Sequence, residues 1–234
     1  MKAKSDRLTA TRQQNSTASP KGGVRRATVR MPTAERRAQI LNKAFEFFSE
    51  YGLTAQTRAL ADACGVSQRL LYSVFPNKSA LINAVYETEI AGVFKAVWFV
   101  QLRDRSKPMA QRLNEFYREY YGTVLTRRWM RLFLYASLAE VEMATTYISS
   151  IILHLLETMM EEAVHEAGLA LPQNQAERQE IGWILHGAVS HLAIRRHIYH
   201  GATSLDVEKV IALQVGSFLA GLKAILPTEV KAAA

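Results

Sequence analysis

The sequence contains little cysteine, proline and glycine. Its single cysteine, Cys64, excludes an intrachain disulfide framework and is typical of a reducing compartment. Only 6 prolines and 12 glycines interrupt the 234 residues, and this scarcity favours long helices over many short strands. Because hydrophobic residues make up 49% of the chain, it can form a substantial core in one large domain or two small ones.

Hydrophobic runs long enough to span a membrane are also absent. The closest, AGVFKAVWFV at residues 91 to 100, is interrupted by Lys95 and is shorter than the roughly 18 apolar residues that a spanning helix needs. No segment alternates apolar and polar residues between turn signals, as a half-buried strand would. We therefore predict an all-α fold and expect no membrane partner.

Acidic residues are nearly absent from the amino end. Residues 1 to 32 contain eight Lys or Arg against one acid, Asp6, and so carry +7 of the net charge of +8. This segment has no apolar period, and we expect it to be a disordered basic tail. It could be an arm that binds nucleic acid, a solvated extension, the result of a start codon assigned too early, or a transit peptide. Residues 228 to 234 are expected to form a short carboxyl-terminal tail.

Apolar residues at helical spacing predict helices along the rest of the chain. The first helix begins near Thr33 and is ended by Gly52. Gly65 is expected to form a turn with positive φ between the second and third helices, and Ser67 to cap the third. The later helices are predicted at 57–64, about 68–75, 81–103 with a start as early as Lys78, 109–125, 128–142, 145–168, 176–200 and 204–226. The corresponding domains are 33–80 and 81–227.

The two short helices around Gly65 form a helix-turn-helix pattern. Its inward positions are Leu60, Ala61, Val66, Leu71 and Phe75. The second helix of such a motif fits the major groove of DNA, where its first residues reach base edges. The residues that we expect to contact DNA are Thr57, Ser67, Gln68, Arg69, Leu70, Tyr72, Ser73 and Lys78.

The residue types at these positions suit different parts of DNA. Gln68 can pair with adenine, Arg69 can pair with guanine, and Leu70 can contact a thymine methyl group. Tyr72 and Lys78 suit phosphate, and Lys78 also begins a helix whose amino end favours an anion. We therefore interpret the short helix as a recognition helix held between two structural stops.

The order of motifs around this pattern is more specific than the pattern itself. A helix ending in FFSEYGL is followed by LADACGVS and LLYSVFPNKSAL, and this order resembles the tetracycline-repressor (TetR) family of bacterial transcriptional regulators. The matching residues are Phe48, Gly52, Leu60, Ala61, Gly65, Val66, Ser67, Leu71, Tyr72, Phe75, Lys78 and Leu81, within residues 33 to 85. The chain departs from the family at Gln56, where threonine usually caps the second helix, and at Arg69 and Leu70, where small residues are usual. We expect Thr57 to replace the cap, and the other two to give this protein its own operator preference.

The resemblance implies an N-terminal helix-turn-helix DNA-binding domain followed by a larger helical domain for ligand binding and dimerisation. It implies a ligand-responsive homodimeric regulator, a repressor rather than an activator, that binds a palindromic operator at the nucleoid in the bacterial cytoplasm. The helices at 176–200 and 204–226 would form a four-helix bundle with those of a second copy, although the residues alone also fit the core of a monomer. The expected partners are double-stranded DNA, a second copy and an unidentified small-molecule effector.

The middle helices would then enclose an effector pocket. Its candidate lining residues are aromatic or polar residues within apolar runs, namely Trp98, Phe116, Tyr120, Trp129, Phe133, Tyr147, His154, Trp183 and His186. A pocket lined in this way favours an apolar or aromatic small molecule. For each residue taken singly, packing in the core is the alternative.

Signals for catalysis, cofactors and metals are missing. There is no paired acid and base, nucleophile motif, glycine-rich phosphate loop or zinc spacing, so we expect no enzyme, no cofactor and no metal site. His197 and His200 are three residues apart but lack a third ligand at suitable spacing. The motif TRRWMR at 126–131 could bind an acidic group, but we interpret it as a solvated loop and helix start. The alternatives to a regulator are a non-specific nucleic-acid-binding protein driven by the basic tail and an all-helical enzyme.

Overall fold

The computed structural model describes residues 31–139, 141–201 and 205–229, and this part of the chain is helical with no strand. The predicted all-α fold is confirmed. The α-helices are α1 (Thr33–Tyr51), α2 (Thr57–Ala63), α3 (Gln68–Val74), α4 (Lys78–Val85), α5 (Val97–Leu102), α6 (Met109–Thr123), α7 (Arg127–Leu138), α8 (Glu142–Tyr147), α9 (Leu153–Ala167), α10 (Gln175–His197) and α11 (Val207–Ile225). Two π-helical segments, Tyr86–Ala91 and Ile148–Ile152, follow α4 and α8. Residues 1 to 30 of the predicted tail, and 230 to 234, lie outside the described residues.

The first four helices pack around a small apolar core. α1 contributes an apolar stripe at helical spacing, which buries Ile40, Leu41, Ala44, Phe45 and Phe48 among other residues. The inward residues predicted for α2 and α3 are buried, and Val66 packs against them. Each fully buried leucine or phenylalanine contributes about 1.5–3 kcal/mol. This core fixes the position of α3 from inside.

The prediction of one continuous helix over 81–103 is wrong. α4 passes into the first π-helical segment, the chain turns at Gly92, and α5 follows after a break. Thr88 Oγ1 donates a hydrogen bond to the Ala84 carbonyl, and such back-bonding bends helices. A Cβ at Gly92 would lie 2.5 Å from the Glu87 carbonyl oxygen, so the chain can pass this closely only with glycine.

The helices predicted at 128–142 and 145–168 are also divided differently. α7 ends at Leu138, α8 is a separate short helix, and the second π-helical segment joins α8 to α9. Ser150 Oγ donates to the Thr146 carbonyl at 2.5 Å and competes there with the backbone ladder. The apolar period continues through these breaks, and the sequence pattern therefore predicts continuous helix across them.

The long helices of the larger domain pack around a second part of the apolar core that the first four helices share. α9 packs against α10, and α6 packs against α11. Arg112 and Glu162 form a buried ion pair at 2.9 Å between α6 and α9. Leu169 and Thr228 form an antiparallel bridge, so the first residues of the predicted carboxyl-terminal tail pair with the turn after α9. α1 packs against α7, and the two predicted domains therefore share one core among the described residues.

A helix that spans a membrane must be both long and apolar. None of the helices in the described part of the chain is both long and apolar enough to cross a membrane.

Candidate DNA-reading helix and effector cavity

The turn between α2 and α3 has the predicted geometry. Gly65 has φ +67°, in the left-handed region that costs other residues about 1–2 kcal/mol. Ser67 caps α3, because its hydroxyl oxygen accepts a hydrogen bond from the Leu70 backbone N–H at 3.2 Å. Leu71 is buried on the inner side of α3. Turn, cap and core together hold the opposite side of α3 toward solvent.

The outer side of α3 carries the side chains predicted to contact bases. Gln68 and Arg69 are exposed, and Tyr72 exposes 40% of its surface. Within the described residues neither Gln68 nor Arg69 makes a side-chain hydrogen bond or ion pair, so both can bind a partner. Leu70 is half-buried, and Ser73 Oγ donates to the Leu70 carbonyl at 2.7 Å. α3 therefore presents two unengaged polar groups and one aromatic hydroxyl.

Thr57 and Lys78, two residues predicted to contact DNA, lie at the edges of this motif and have structural roles there. Gln56 occupies the N-cap position of α2 without a side-chain cap bond, and Thr57 is the first helical residue, so the expected replacement of the cap by Thr57 is wrong. Lys78 Nζ donates to the Ala55 carbonyl at 2.6 Å and ties the loop before α2 to α4. Burial lowers the pKa of Lys78. A phosphate contact by Lys78 would share its ammonium group with this bond.

A cavity of about 140 Å³ lies among α6, α7, α10 and the second π-helical segment, and we call it the effector cavity. Its lining residues are Tyr120, Leu125, Trp129, Met130, Phe133, Leu134, Tyr147, Ile148, Ile152, Trp183, His186, Ser190 and Ile194. The predicted pocket residues among them are Tyr120, Trp129, Phe133, Tyr147, Trp183 and His186. No lysine, arginine, aspartate or glutamate belongs to this lining in the part of the chain that the structure describes.

The polar groups in and next to the effector cavity include tyrosine hydroxyls and the imidazole of His186. Tyr120 Oη and Tyr147 Oη lie 3.3 Å apart. Tyr117 Oη donates to Met159 Sδ at 3.1 Å and lies 3.4 Å from Nδ1 of His186. Burial lowers the pKa of His186 to about 4 and raises the pKa of Tyr120 and of Tyr147. All of these groups are therefore neutral near pH 7.

The other three residues predicted for the pocket, Trp98, Phe116 and His154, lie outside the lining of this cavity. The rings of Trp98 and Phe116 pack on Tyr120 at centroid distances of 5.8 and 5.4 Å, outside the cavity lining. His154 is exposed and packs on Phe99 at 4.5 Å. Helical spacing identifies aromatic residues that pack inward, but it does not identify which of two neighbouring clusters they join.

The TRRWMR motif begins α7 at Arg127, so the predicted helix start is confirmed, but its arginines bind α1 instead of only facing solvent. The arginine clamp consists of Arg127, Arg128 and Arg131 of α7 with Glu46 and Glu50 of α1. Arg131 Nε donates to the Ser49 carbonyl at 2.6 Å, and its Nη2 donates to the Glu50 carbonyl at 3.0 Å. α1 has no basic residue in its own last turn, so Arg131 supplies the positive charge that a helix carboxyl end favours. Sequence reasoning missed this contact because its partners lie about 80 residues apart.

An exposed apolar groove of about 380 Å³ lies between α10 and α11, and we call it the α10–α11 groove. Its lining residues are Ile181, Ile184, Ala188, Val210, Leu213, Gln214, Ser217, Phe218, Gly221, Leu222 and Ile225. Ile184, Leu213 and Ile225 remain 59%, 61% and 56% exposed. Such a contiguous apolar surface is unusual for a monomer and marks interaction sites.

Groups for metal binding or nucleophilic chemistry are sparse elsewhere. No cluster of three or more His, Cys, Asp or Glu that could hold a metal ion occurs in residues 31–139, 141–201 and 205–229. The ring of His197 packs on Tyr121 at 5.8 Å. Cys64 is buried, and burial raises the pKa of its thiol to about 11, which disfavours the reactive thiolate.

The arrangement is a helix-turn-helix motif joined to a helical domain with a partly open apolar cavity. Residues 40–85 match the family model of the bacterial regulatory proteins, tetR family. The match covers the helix-turn-helix region and agrees with the resemblance seen in the sequence. A comparison with curated proteins found no match.

Solved structures with the same fold extend the likeness to the larger domain. A TetR-like transcriptional regulator from Rhodococcus sp. RHA1 has 22% identity, with 83% of this chain and 99% of that chain covered and a TM-score of 0.60. The fatty acid degradation regulator FadR from Bacillus halodurans has 14% identity, with coverage of 80% and 96% and a TM-score of 0.60. The flavonoid-responsive regulator FrrA has 22% identity, with coverage of 82% and 97% and a TM-score of 0.51. The described residues thus have the fold of TetR-family transcriptional regulators.

Proposed function

We propose that the protein is a ligand-responsive homodimeric repressor that acts in the bacterial cytoplasm by binding a palindromic operator. The observation that carries the proposal is the outer side of α3, where Gln68 and Arg69 are exposed and unengaged within the described residues. A helix of this size, held by a glycine turn and a serine cap, fits the major groove with its amino-terminal residues at base edges. Tyr72 stands beside them and suits a phosphate or a base edge.

Dimerisation is supported by the α10–α11 groove. Two copies related by a twofold axis would bury the same apolar surface on each side and form a four-helix bundle. Gly221, Ser217 and Ala188 in the groove lining are small and permit close approach of the helices. A dimer also places two recognition helices on one DNA face, and a palindrome offers them equivalent half-sites.

A response to a small molecule is supported by the effector cavity and its link to α1. Trp129 lies in the lining, while its neighbours Arg128 and Arg131 on α7 hold the end of α1. A ligand that moves α7 would therefore move the DNA-binding domain and change the separation of the two recognition helices. The printed names of FadR and FrrA connect those proteins to fatty acid degradation and to flavonoids, which is consistent with small-molecule control in proteins of this fold.

The test is a selection of bound sequences from random duplex DNA with the full-length protein at physiological salt. We expect an enriched palindrome whose half-sites lie about 34 Å apart, or one helical turn. Binding without enrichment that collapses as salt rises would contradict the proposal, since contacts to phosphate alone carry no sequence information.

The same selection separates the regulator from a binder driven by the basic tail. The charge of +7 on residues 1 to 32 is the observation that favours the second function. A variant that lacks residues 1 to 30 should enrich the same palindrome, with a smaller dependence of affinity on salt if the tail contacts phosphate. A variant that loses all DNA binding would favour the tail-driven function instead.

A further inference from the structure

The effector cavity is small. Its volume is about 140 Å³, and a dry apolar cavity of about 150 Å³ in another protein accepts one benzene molecule. One six-membered ring with a small substituent therefore fills the space. A three-ring flavonoid or a long acyl chain exceeds this volume and would extend into solvent through the open side of the cavity.

The walls of the cavity favour an aromatic ring. Trp129 stacks on Phe133 with a centroid distance of 4.7 Å and an angle of 12°. Tyr147 meets Trp129 edge to face at 5.2 Å. A guest ring can pack against these faces and edges in the offset or T-shaped geometry that aromatic pairs prefer.

The cavity offers no partner for a charged ligand. Its lining has no charged side chain in the described residues, and burial keeps His186 neutral because its pKa is lowered to about 4. A carboxylate or an ammonium group would lose its hydration without an opposite charge in return. A neutral ligand avoids that cost.

The hydrogen bonds around His186 leave one acceptor open. The distance from Tyr117 Oη to Met159 Sδ is 3.1 Å, which is short for a bond to sulfur, so the Tyr117 proton is directed to Met159. We therefore assign the proton of the neutral imidazole to Nδ1, which lies 3.4 Å from Tyr117 Oη, and this assignment leaves a lone pair on Nε2. Within the described residues Nε2 has no hydrogen-bond partner.

The pair formed by Tyr120 and Tyr147 supplies the complementary group. Only one of the two hydroxyl protons is used in their mutual bond at 3.3 Å, so the other remains as a donor. His186 and Tyr120 are neighbours, with ring centroids 5.5 Å apart. A ligand hydroxyl between them could donate to His186 and accept from the tyrosine pair.

We infer that the effector cavity binds a neutral single-ring aromatic alcohol of the phenol class, with its ring against Trp129 and its hydroxyl between His186 and the pair Tyr120 and Tyr147. This inference rests on the proposed function only where it treats the bound molecule as the effector that controls DNA binding. The binding itself is a property of the protein without DNA.

The first test measures binding of three probes to the full-length, DNA-free protein by calorimetry and by the fluorescence of Trp129 and Trp183. Phenol and toluene should both bind with one site, because both fit the aromatic walls, and benzoate should bind at least about tenfold more weakly than phenol. Benzoate that binds as tightly as phenol would overturn the inference.

The second test locates the hydroxyl group. The double variant Tyr120→Phe/Tyr147→Phe and the single variant His186→Leu should each weaken phenol binding roughly five- to tenfold and change toluene binding by less than about twofold. The double variant is needed because either tyrosine hydroxyl alone keeps a proton that it can donate. Tyr121→Phe is the matched control, because the Tyr121 hydroxyl is buried without a hydrogen-bond partner in the described residues and is not part of the lining. Equal losses for phenol and toluene would overturn the assignment of the hydroxyl site. If a variant fails to fold, the three probes on the unaltered protein still decide the ligand class.

The outcomes keep this inference separate from the proposed function. If phenol binds as expected but the protein selects no operator, the inferred ligand class is supported and the proposed function as a repressor is contradicted. If an operator is selected but phenol does not bind, the ligand class is overturned alone.

Discussion

At the scale of single residues, operator preference should depend on Arg69. Its guanidinium group is exposed near the amino end of α3 and has no partner in the described residues. Because a bidentate Arg–guanine pair discriminates by about 1–3 kcal/mol, Arg69→Ala should weaken operator binding by that amount and relax preference at one base position. A selection on the variant measures both effects.

The control for this prediction is Lys209→Ala, which removes the same charge from an exposed site on α11. It should change affinity little and leave the selected sequence unaltered. If Arg69→Ala instead weakens binding equally for all sequences, Arg69 contacts phosphate and not a base.

The turn before α3 depends on one backbone conformation. Gly65 has φ +67°, and a Cβ added there would meet no atom within 4 Å, so Gly65→Ala introduces backbone strain without a steric clash. We expect the variant to lower the free energy of unfolding by about 1–2 kcal/mol. Thermal or denaturant unfolding measures the change.

A second glycine provides a control of opposite sign. Gly122 lies in α6 with equally open surroundings, and Gly122→Ala should raise the free energy of unfolding by about 0.5–1 kcal/mol because alanine favours helix. If both variants lose stability equally, the positive φ at Gly65 is not the cause.

Residues whose roles depend on nearby sequence could be predicted from the sequence. Gly65, Ser67 and Leu71 act within one turn or one helix, so spacing and residue type suffice to predict their conformation and burial. His154, predicted to line the pocket, is exposed outside the effector cavity, because its position depends on how α9 packs against other helices. Periodicity predicts which side of a helix packs inward, but it does not predict which helices cover that side.

At the scale of helices, α7 has two different roles on two sides. One side lines the effector cavity with Trp129 and Phe133, and the other forms the arginine clamp on α1. The clamp could not be predicted, since no local pattern connects Glu50 with Arg131. The π-helical segments were not predicted either. Side-chain hydrogen bonds such as that from Thr88 to the Ala84 carbonyl change the backbone hydrogen bonding of the helix without changing the spacing of its apolar residues.

The strongest element of the clamp should be Arg131, which donates to two carbonyl groups at the end of α1. Arg131→Met keeps most of the length of the side chain and removes both bonds. We expect the free energy of unfolding to fall by about 1–3 kcal/mol, as for hydrogen bonds to a charged group. Denaturant unfolding at low and high salt measures the loss, which should persist at high salt.

An exposed ion pair on α1 serves as the control. Lys43 and Glu46 are 2.8 Å apart, with side chains 48% and 33% exposed. Lys43→Met should change stability by no more than about 0.5 kcal/mol, because solvent screens such pairs. If the two variants lose the same stability, the carbonyl bonds of Arg131 contribute no more than a surface pair.

At the scale of the whole molecule, the proposed mechanism needs two copies, and the α10–α11 groove provides the surface. Leu213 lies in that groove and exposes 61% of its surface. In a twofold interface Leu213→Glu would bury two carboxylates without partners, which costs far more than the apolar contact contributes. We expect the unaltered protein to sediment as a dimer and the variant as a monomer that binds the palindrome weakly.

The matched control is Leu138→Glu, which adds the same charge at an apolar residue that is 83% exposed at the end of α7, outside the groove lining. This variant should remain a dimer and keep its operator affinity. Sedimentation equilibrium and a DNA-binding titration on both variants separate a loss of the interface from a general effect of charge. If Leu213→Glu remains a dimer, the copies associate through another surface. That other surface would then determine the distance between the two recognition helices.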